Sequence, residues 1–177
     1  MTQSEITFRV LGVDPGLGVT GYAVLRLDEG EYEPRLVDGG ILKSDSNAAL
    51  EKRLYELHKD LVHIIETNEP HVMAVENLYS HYKHPRTSII MGHARGVIFL
   101  AASQAGVPVV SYAATEIKKS LVGAGRATKA QVQHMVQQRL RLHDLPEPPD
   151  VADAIAAAYC HIDRSYLRSE QAVGSKA

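Results

Sequence analysis

At 177 residues, with 45% hydrophobic and 23% charged residues, the chain has the size and composition of one globular domain with a sizeable core. No apolar run is long enough to span a membrane, the N-terminus lacks a signal-peptide pattern, and the lone Cys160 excludes an internal disulfide or an all-cysteine zinc site, so a cytoplasmic location is expected. The net charge of −2 hides a segregation: residues 77–143 hold nine Lys or Arg against one acid, Glu116, for +8, while the rest carries −10, which points to a polyanionic partner.

Three strands are predicted first, over roughly 7–14, 19–27 and 33–42, with Asp28-Glu-Gly30 as a turn. Leu50, Leu54, Leu57, Leu61, Ile64 and Ile65 then recur at helical spacing, and Glu69-Pro70 stops that helix. A fourth strand covers 71–76, a polar and basic loop 79–86, a second helix about 87–105 and a fifth strand 106–112. A short helix over about 115–121 leads to a Gly-rich loop. Thr128 and Gln131 have capping-box spacing, so another helix starts there and runs to about 142. The last helix spans about 150–166, and the tail 167–177 is expected to be disordered. The order β-β-β-α-β-α-β-α-α-α implies an α/β domain over 1–166, a mixed five-stranded sheet flanked by helices.

Acids emerge from apolar runs in three places. Asp14 ends the first strand, Glu76 ends the fourth, and Asp150 and Asp153 open a helix that is otherwise nearly all apolar. Each has a plainer reading or a puzzle attached. Asp before Pro-Gly suits a turn, and Asp150 suits a helix N-cap. Glu gains little at a strand end. Asp153 sits in a buried helix with no Lys or Arg nearby in sequence. Together, acids delivered this way repel one another unless a cation lies among them. Oxygen donors select Mg²⁺ or Mn²⁺ over zinc, and four carboxylates suit two ions. The nine histidines lack metal-ligand spacing. Charge and loop position add Lys83, His84, Arg86 and Arg126 as phosphate contacts.

Leu11-Gly-Val-Asp-Pro-Gly16 followed by Thr20-Gly-Tyr22 resembles the RuvC family of Holliday-junction resolvases. So do Val75-Glu76 followed by an aromatic, Gly92-His-Ala-Arg-Gly96, Lys129-Ala-Gln-Val-Gln-His-Met135 and Asp150-Val-Ala-Asp-Ala154, in order over residues 7–162. The resemblance implies a ribonuclease H-like fold and a homodimer. It also implies a Mg²⁺-dependent endonuclease that cuts four-way DNA junctions by paired symmetric nicks, leaving 5′-phosphate and 3′-hydroxyl ends. Asp14, Glu76, Asp150 and Asp153 fall on the family's four metal-binding positions, which take two ions, with Mn²⁺ expected to substitute. Tyr79 falls where the family places an aromatic near the junction centre, and Lys118 and Lys129 fall on basic positions near the DNA. The family also implies the RuvA–RuvB branch-migration complex as a partner.

Apolar residues wrap more than one side of the 87–105 helix, so its outer face, represented by Ile90 or Ile98, is a candidate two-fold interface. Two rivals to the nuclease reading remain at this point. A strand followed by Asp-x-Gly also opens the phosphate site of actin-like ATPases, but those enclose nucleotide between two domains. A non-catalytic junction-binding protein would explain the basic segment but not four acids facing DNA.

Overall fold

Apolar runs buried on both faces build β1 (Phe8–Asp14) and β2 (Val19–Leu27), and β3 (Arg35–Lys43), where exposed and half-buried residues alternate, completes an antiparallel meander with them. Helix α1 (Leu50–Asn68) crosses over to β4 (Val72–Glu76), which lies parallel to β1. Helix α2 (Pro85–Gln104) precedes β5 (Val109–Tyr112), parallel to β4. Helices α3 (Ala114–Val122), α4 (Lys129–Leu140) and α5 (Pro149–Ile162) follow, and a π-helical turn covers Asp163–Leu167. The sheet order β3-β2-β1-β4-β5 is the mixed five-stranded arrangement that the element order implies. The computed structural model describes residues 7–77 and 85–167, so Tyr79, Lys83, His84 and the tail 168–177 lie outside the described residues.

Several boundaries differ from the sequence expectation for local reasons. Strand β5 starts at Val109 rather than residue 106 because the preceding residues close α2. Gly106 adopts φ +70, and the Val107 amide donates to the Ala102 carbonyl at 2.9 Å. Strand β3 starts at Arg35 rather than residue 33, immediately after Pro34, which has no amide for the ladder. Helix α5 starts with Pro149 at its first position and Pro148 as N-cap, so Asp150 is not a cap. Its α-helical part ends at Ile162 rather than near residue 166. The Thr128/Gln131 capping box forms as expected: Gln131 N donates to Thr128 Oγ1 at 3.3 Å, and Thr128 N donates to Gln131 Oε1 at 2.8 Å.

Two apolar layers cover the sheet. Leu11, Val13, Val24, Met73 and Val75 pack toward α1 and α2 with Leu61, Ile65, Ala94 and Ile98. Val10, Ala23, Leu25, Val72 and Ala74 pack toward α3, α4 and α5 with Ile117, Val132, Val136 and Ile155. Residues 154–160 of α5 are all buried, as an apolar helix pressed on a sheet requires. In α2, Ile98 is fully buried and cannot serve the outer face, because it lies on the same core-facing stripe as Ala94, Ala101 and Ala102. The exposed apolar residues there are Ile89 (62%) and Leu100 (51%), with Ile90 half-buried.

Candidate active site

Side chains alternate faces along a strand, so residues of one parity share a face. In β1, Val10 faces α5 and Leu11 faces the opposite layer, which assigns Asp14 to the α5 face. In β4, Val72 and Ala74 face α5, which assigns Glu76 to that face too. The two strands are parallel with Val13 paired to Val75, so the next residues, Asp14 and Glu76, are neighbours at adjacent strand ends. The expectation that these acids lie side by side holds.

Helix α5 brings the other two acids, and two glycines admit it. A Cβ on Gly12 would stand 2.0 Å from the Ala154 carbonyl oxygen, and one on Gly21 would stand 2.1 Å from that of Asp150. Gly21 is paired with Asp14 across β1 and β2. The first turn of α5 therefore rests on the backbone beside Asp14, a close approach that any side chain at these positions would block. Asp150 and Asp153, one turn apart, lie on one side of that helix end.

The electrostatics follow from the crowding. Asp14 is raised to about 7, first by burial and then by the charges of Asp153, Glu76 and Asp150, while Lys129 pulls the other way. Burial and Asp153 also raise Glu76, opposed by Lys118 and Lys129. Asp153 is raised by burial and by Asp150, against the pull of Lys129 and Lys118. The base that Asp153 lacks nearby in sequence comes from α4: Lys129 Nζ lies 3.6 Å from Asp153 Oδ2. That lysine side chain is 72% exposed and the aspartate's 20%, so the pair contributes under about 1 kcal/mol and can be displaced.

Among the described residues, no three Asp, Glu, His or Cys side chains converge closely enough to enclose an ion as they stand. The donor set still suits a hard cation. Four carboxylates from three elements meet at the C-terminal ends of β1 and β4, three of them with their charged form disfavoured by burial and by neighbouring carboxylates. A divalent ion would offset both the burial and the repulsion.

The basic residues divide. Lys118 in α3 and Lys129 at the start of α4 act on the acids directly. Arg126 is exposed in the loop between those helices. Arg86 is exposed at the start of α2, in an open groove with Leu50, Arg53, Ile89, Ile90 and His93, on the sheet face away from α5.

Sequence reasoning counted Arg95 as one more positive charge and missed its role. Its Nη1 donates to the Glu76 carbonyl, and its Nη2 donates to Asn77 Oδ1 at 3.1 Å and Ser111 Oγ at 2.8 Å. The guanidinium lies over Phe99, 4.7 Å from the ring centroid. The available signal was an Arg set inside the Gly92-His-Ala-Arg-Gly96 stretch of an otherwise apolar helix.

Comparison with known proteins matches this architecture. The family model for crossover junction endodeoxyribonuclease RuvC matches residues 10–161. A crossover junction endodeoxyribonuclease RuvC from Rhodopirellula baltica is 50% identical over 153 residues, covering 85% of this chain and 84% of the relative. One from Halothermothrix orenii is 43% identical over 152 residues, covering 86% and 90%. The solved structure of Thermus thermophilus RuvC in complex with a Holliday junction substrate superposes with a TM-score of 0.84 at 30% identity, covering 92% of this chain and 97% of that one. The fold is therefore ribonuclease H-like, and the chain belongs to the RuvC family of crossover junction endodeoxyribonucleases.

Proposed function

We propose that the protein is a metal-dependent endonuclease that resolves four-way DNA junctions by paired symmetric nicks, leaving 5′-phosphate and 3′-hydroxyl ends during recombination and repair. The observation that carries this reading is the meeting of Asp14, Glu76, Asp150 and Asp153 at the ends of β1 and β4, beside Lys118 and Lys129. Family membership supplies the substrate class. The non-catalytic reading leaves four acids facing DNA without a purpose, and nothing favours the ATPase reading.

Asp14 and Glu76 would hold one ion, and Asp150 and Asp153 from α5 would complete a two-ion site. Mg²⁺ is the natural ion, and Mn²⁺ substitutes. Bound divalent ions lower the pKa of water and stabilise charge on the attacking and leaving oxygens of a phosphodiester. The protein's own part is positional. Asp14, raised to about 7, would bind an ion in its charged form, and the burial and mutual repulsion that raise Glu76 and Asp153 would be offset there too. Lys129 then leaves Asp153 and, with Lys118, meets the phosphates next to the cut. Arg126 and Arg86 would contact the DNA backbone, Lys83 and His84 would add further phosphate contacts, and Tyr79 would stack on an unpaired base at the junction centre.

Paired nicks need two active sites at once, so the working form is a two-fold homodimer, with Ile89, Ile90 and Leu100 on the outer side of α2 as its apolar contacts. The nuclease domain spans residues 1–166, works in the cytoplasm and receives junctions from a RuvA–RuvB branch-migration complex. Among the described residues, no helix is long and apolar enough to cross a membrane.

One assay tests the core of this reading. A synthetic four-way junction is incubated with the protein and Mg²⁺, and the products are mapped on both strands. Symmetric, ligatable nicks are expected. Binding without cutting in Mg²⁺ or Mn²⁺ would leave only the junction-binding alternative.

A further inference from the structure

Glu76 ends a strand, and strand ends fray unless something holds them. On one side β5 does so: Glu76 pairs with Tyr112, and the Asn77 amide donates to the Tyr112 carbonyl at 2.8 Å. On the sheet face opposite the acids, Arg95 does so from α2. By strand parity Val75, and Ser111 beside it in the neighbouring strand, face α2, while Glu76 faces α5. Arg95 thus grips the Glu76 carbonyl, the Asn77 side chain and the Ser111 hydroxyl from behind the site.

Its partners are chemically unusual for a guanidinium. All three acceptors are neutral, and among the described residues Arg95 forms no ion pair. Burial pushes its pKa down, so the placement is costly for the charge. A purely structural link between β4, β5 and α2 could be made by apolar packing, as it is elsewhere in that layer. What the planar fork adds is geometry: several donors in fixed directions, stiffened by the Phe99 ring beneath.

Resting on the metal-site reading above, we propose that Arg95 is a positioning residue for Glu76. It fixes the backbone at the end of β4, so that the Glu76 carboxylate meets the ion held with Asp14 without a search. Residues that orient ligands in this way typically change metal affinity or activity by about 10–100-fold when replaced.

The test uses the full chain with Arg95→Gln, Arg95→Lys and Ser111→Ala. Four quantities are read: melting temperature, metal-free junction affinity over a salt series, Mg²⁺ binding by calorimetry without DNA, and single-turnover cleavage against Mg²⁺ concentration. Arg95→Gln is expected to leave junction affinity and salt slope unchanged, and to weaken Mg²⁺ binding or slow cleavage by about 10–100-fold. Arg95→Lys should recover part of that loss, and Ser111→Ala should lose only a few-fold. If Arg95→Gln does not fold, Arg95→Lys and Ser111→Ala carry the same comparison. Folded variants with wild-type Mg²⁺ binding and cleavage overturn the proposal. So does a loss that appears wholly in junction affinity, which would make Arg95 a DNA contact, or one that only tracks melting temperature. A wild type that neither binds Mg²⁺ nor cuts overturns the metal-site reading itself. A wild type that does both, beside unaffected variants, overturns this inference alone.

Discussion

Toward α1 and α2, the three central strands present Leu11, Val13, Val24, Met73 and Val75, all fully buried. Toward α5, the same strands present Gly12, Gly21, Ala23 and Ala74 near the site, with Val10, Leu25 and Val72 farther from it. Helix α5 answers with Ala154, Ala156, Ala157 and Ala158. Large side chains on one face bury more apolar area per strand residue. Small ones on the other let a helix backbone come down onto the sheet, fixing where its first turn points. The first layer tolerates adjustment, since side chains stand between backbones. The second does not, and it is the one that carries four carboxylates.

The largest expected effect tests whether that second layer exists to place charge. Asp14→Asn and Glu76→Gln should fold and should slow cleavage by on the order of 10³-fold, because several kcal/mol of transition-state stabilisation run through the ions they hold. Asp150→Asn should behave alike, since Pro148 and not Asp150 caps α5. Single-turnover cleavage of a synthetic junction measures each. Asp14→Asn cutting within tenfold of wild type would remove the metal reading.

The next effect separates the two faces directly. Met73→Ala, in the bulky layer, should cost about 2–5 kcal/mol of stability in denaturant titration while leaving the folded enzyme's cleavage rate intact. Gly12→Ala adds a single methyl but places it against the Ala154 carbonyl, so about 1–3 kcal/mol of stability is expected to go, and the acids of α5 move with their helix. Cleavage should fall more than the folded fraction does. Equal losses of stability and rate in both variants would mean that the faces do not differ in kind.

How much of this was legible in sequence divides along the same line. Asp14 and Glu76 were readable because each ends an apolar run, and strand register needed only the parallel pairing to place them together. Helix α5 was readable as buried from its composition. The partner of Asp153 was not, because Lys129 stands in a different helix and only the packing of α4 on α5 brings it near. Arg95 was hidden for another reason: its acceptors include a backbone carbonyl and a hydroxyl, which leave no charge pattern. Ile98 was misjudged because apolar residues on several sides of α2 give no periodic stripe from which to pick the core face. Pro148 taking the cap position, and so freeing Asp150, was a matter of one turn's geometry.

A smaller effect is a pH dependence. In the folded, metal-free protein Asp14 is raised to about 7, above the 3.8 of a free carboxyl. Between those values the native state holds a proton that the unfolded state has released, so stability falls as pH rises through that window. The carboxylates crowded around it push the same way. Metal-free wild type should therefore lose on the order of a few kcal/mol relative to Asp14→Asn between pH 4 and pH 7. Melting curves of both proteins in chelator across that range measure the difference. Parallel curves would mean that Asp14 is not desolvated among like charges.

The smallest effect belongs to Lys129, whose ion pair with Asp153 ties the charged face to its basic flank. Removing it from the metal-free protein leaves Asp153 with less compensation, but the pair is exposed on the lysine side. The expected stability change for Lys129→Ala is under about 1 kcal/mol. On DNA the same side chain is expected to meet a phosphate, so junction affinity should fall and the slope of log affinity against log salt should drop by about one. Lys118→Ala, which has no ion pair to Asp153 among the described contacts but compensates Glu76 and Asp153 through space, serves as the comparison: the same change in slope is expected, with a stability change likewise under about 1 kcal/mol. Added Mg²⁺ should erase the stability difference between Lys129→Ala and wild type, since the ions then compensate Asp153 in both. If the difference persists at saturating Mg²⁺, the lysine holds α4 to α5 as a structural tie. If the salt slope is unchanged, it does not face the DNA, and the basic flank contributes to the site only by balancing its acids.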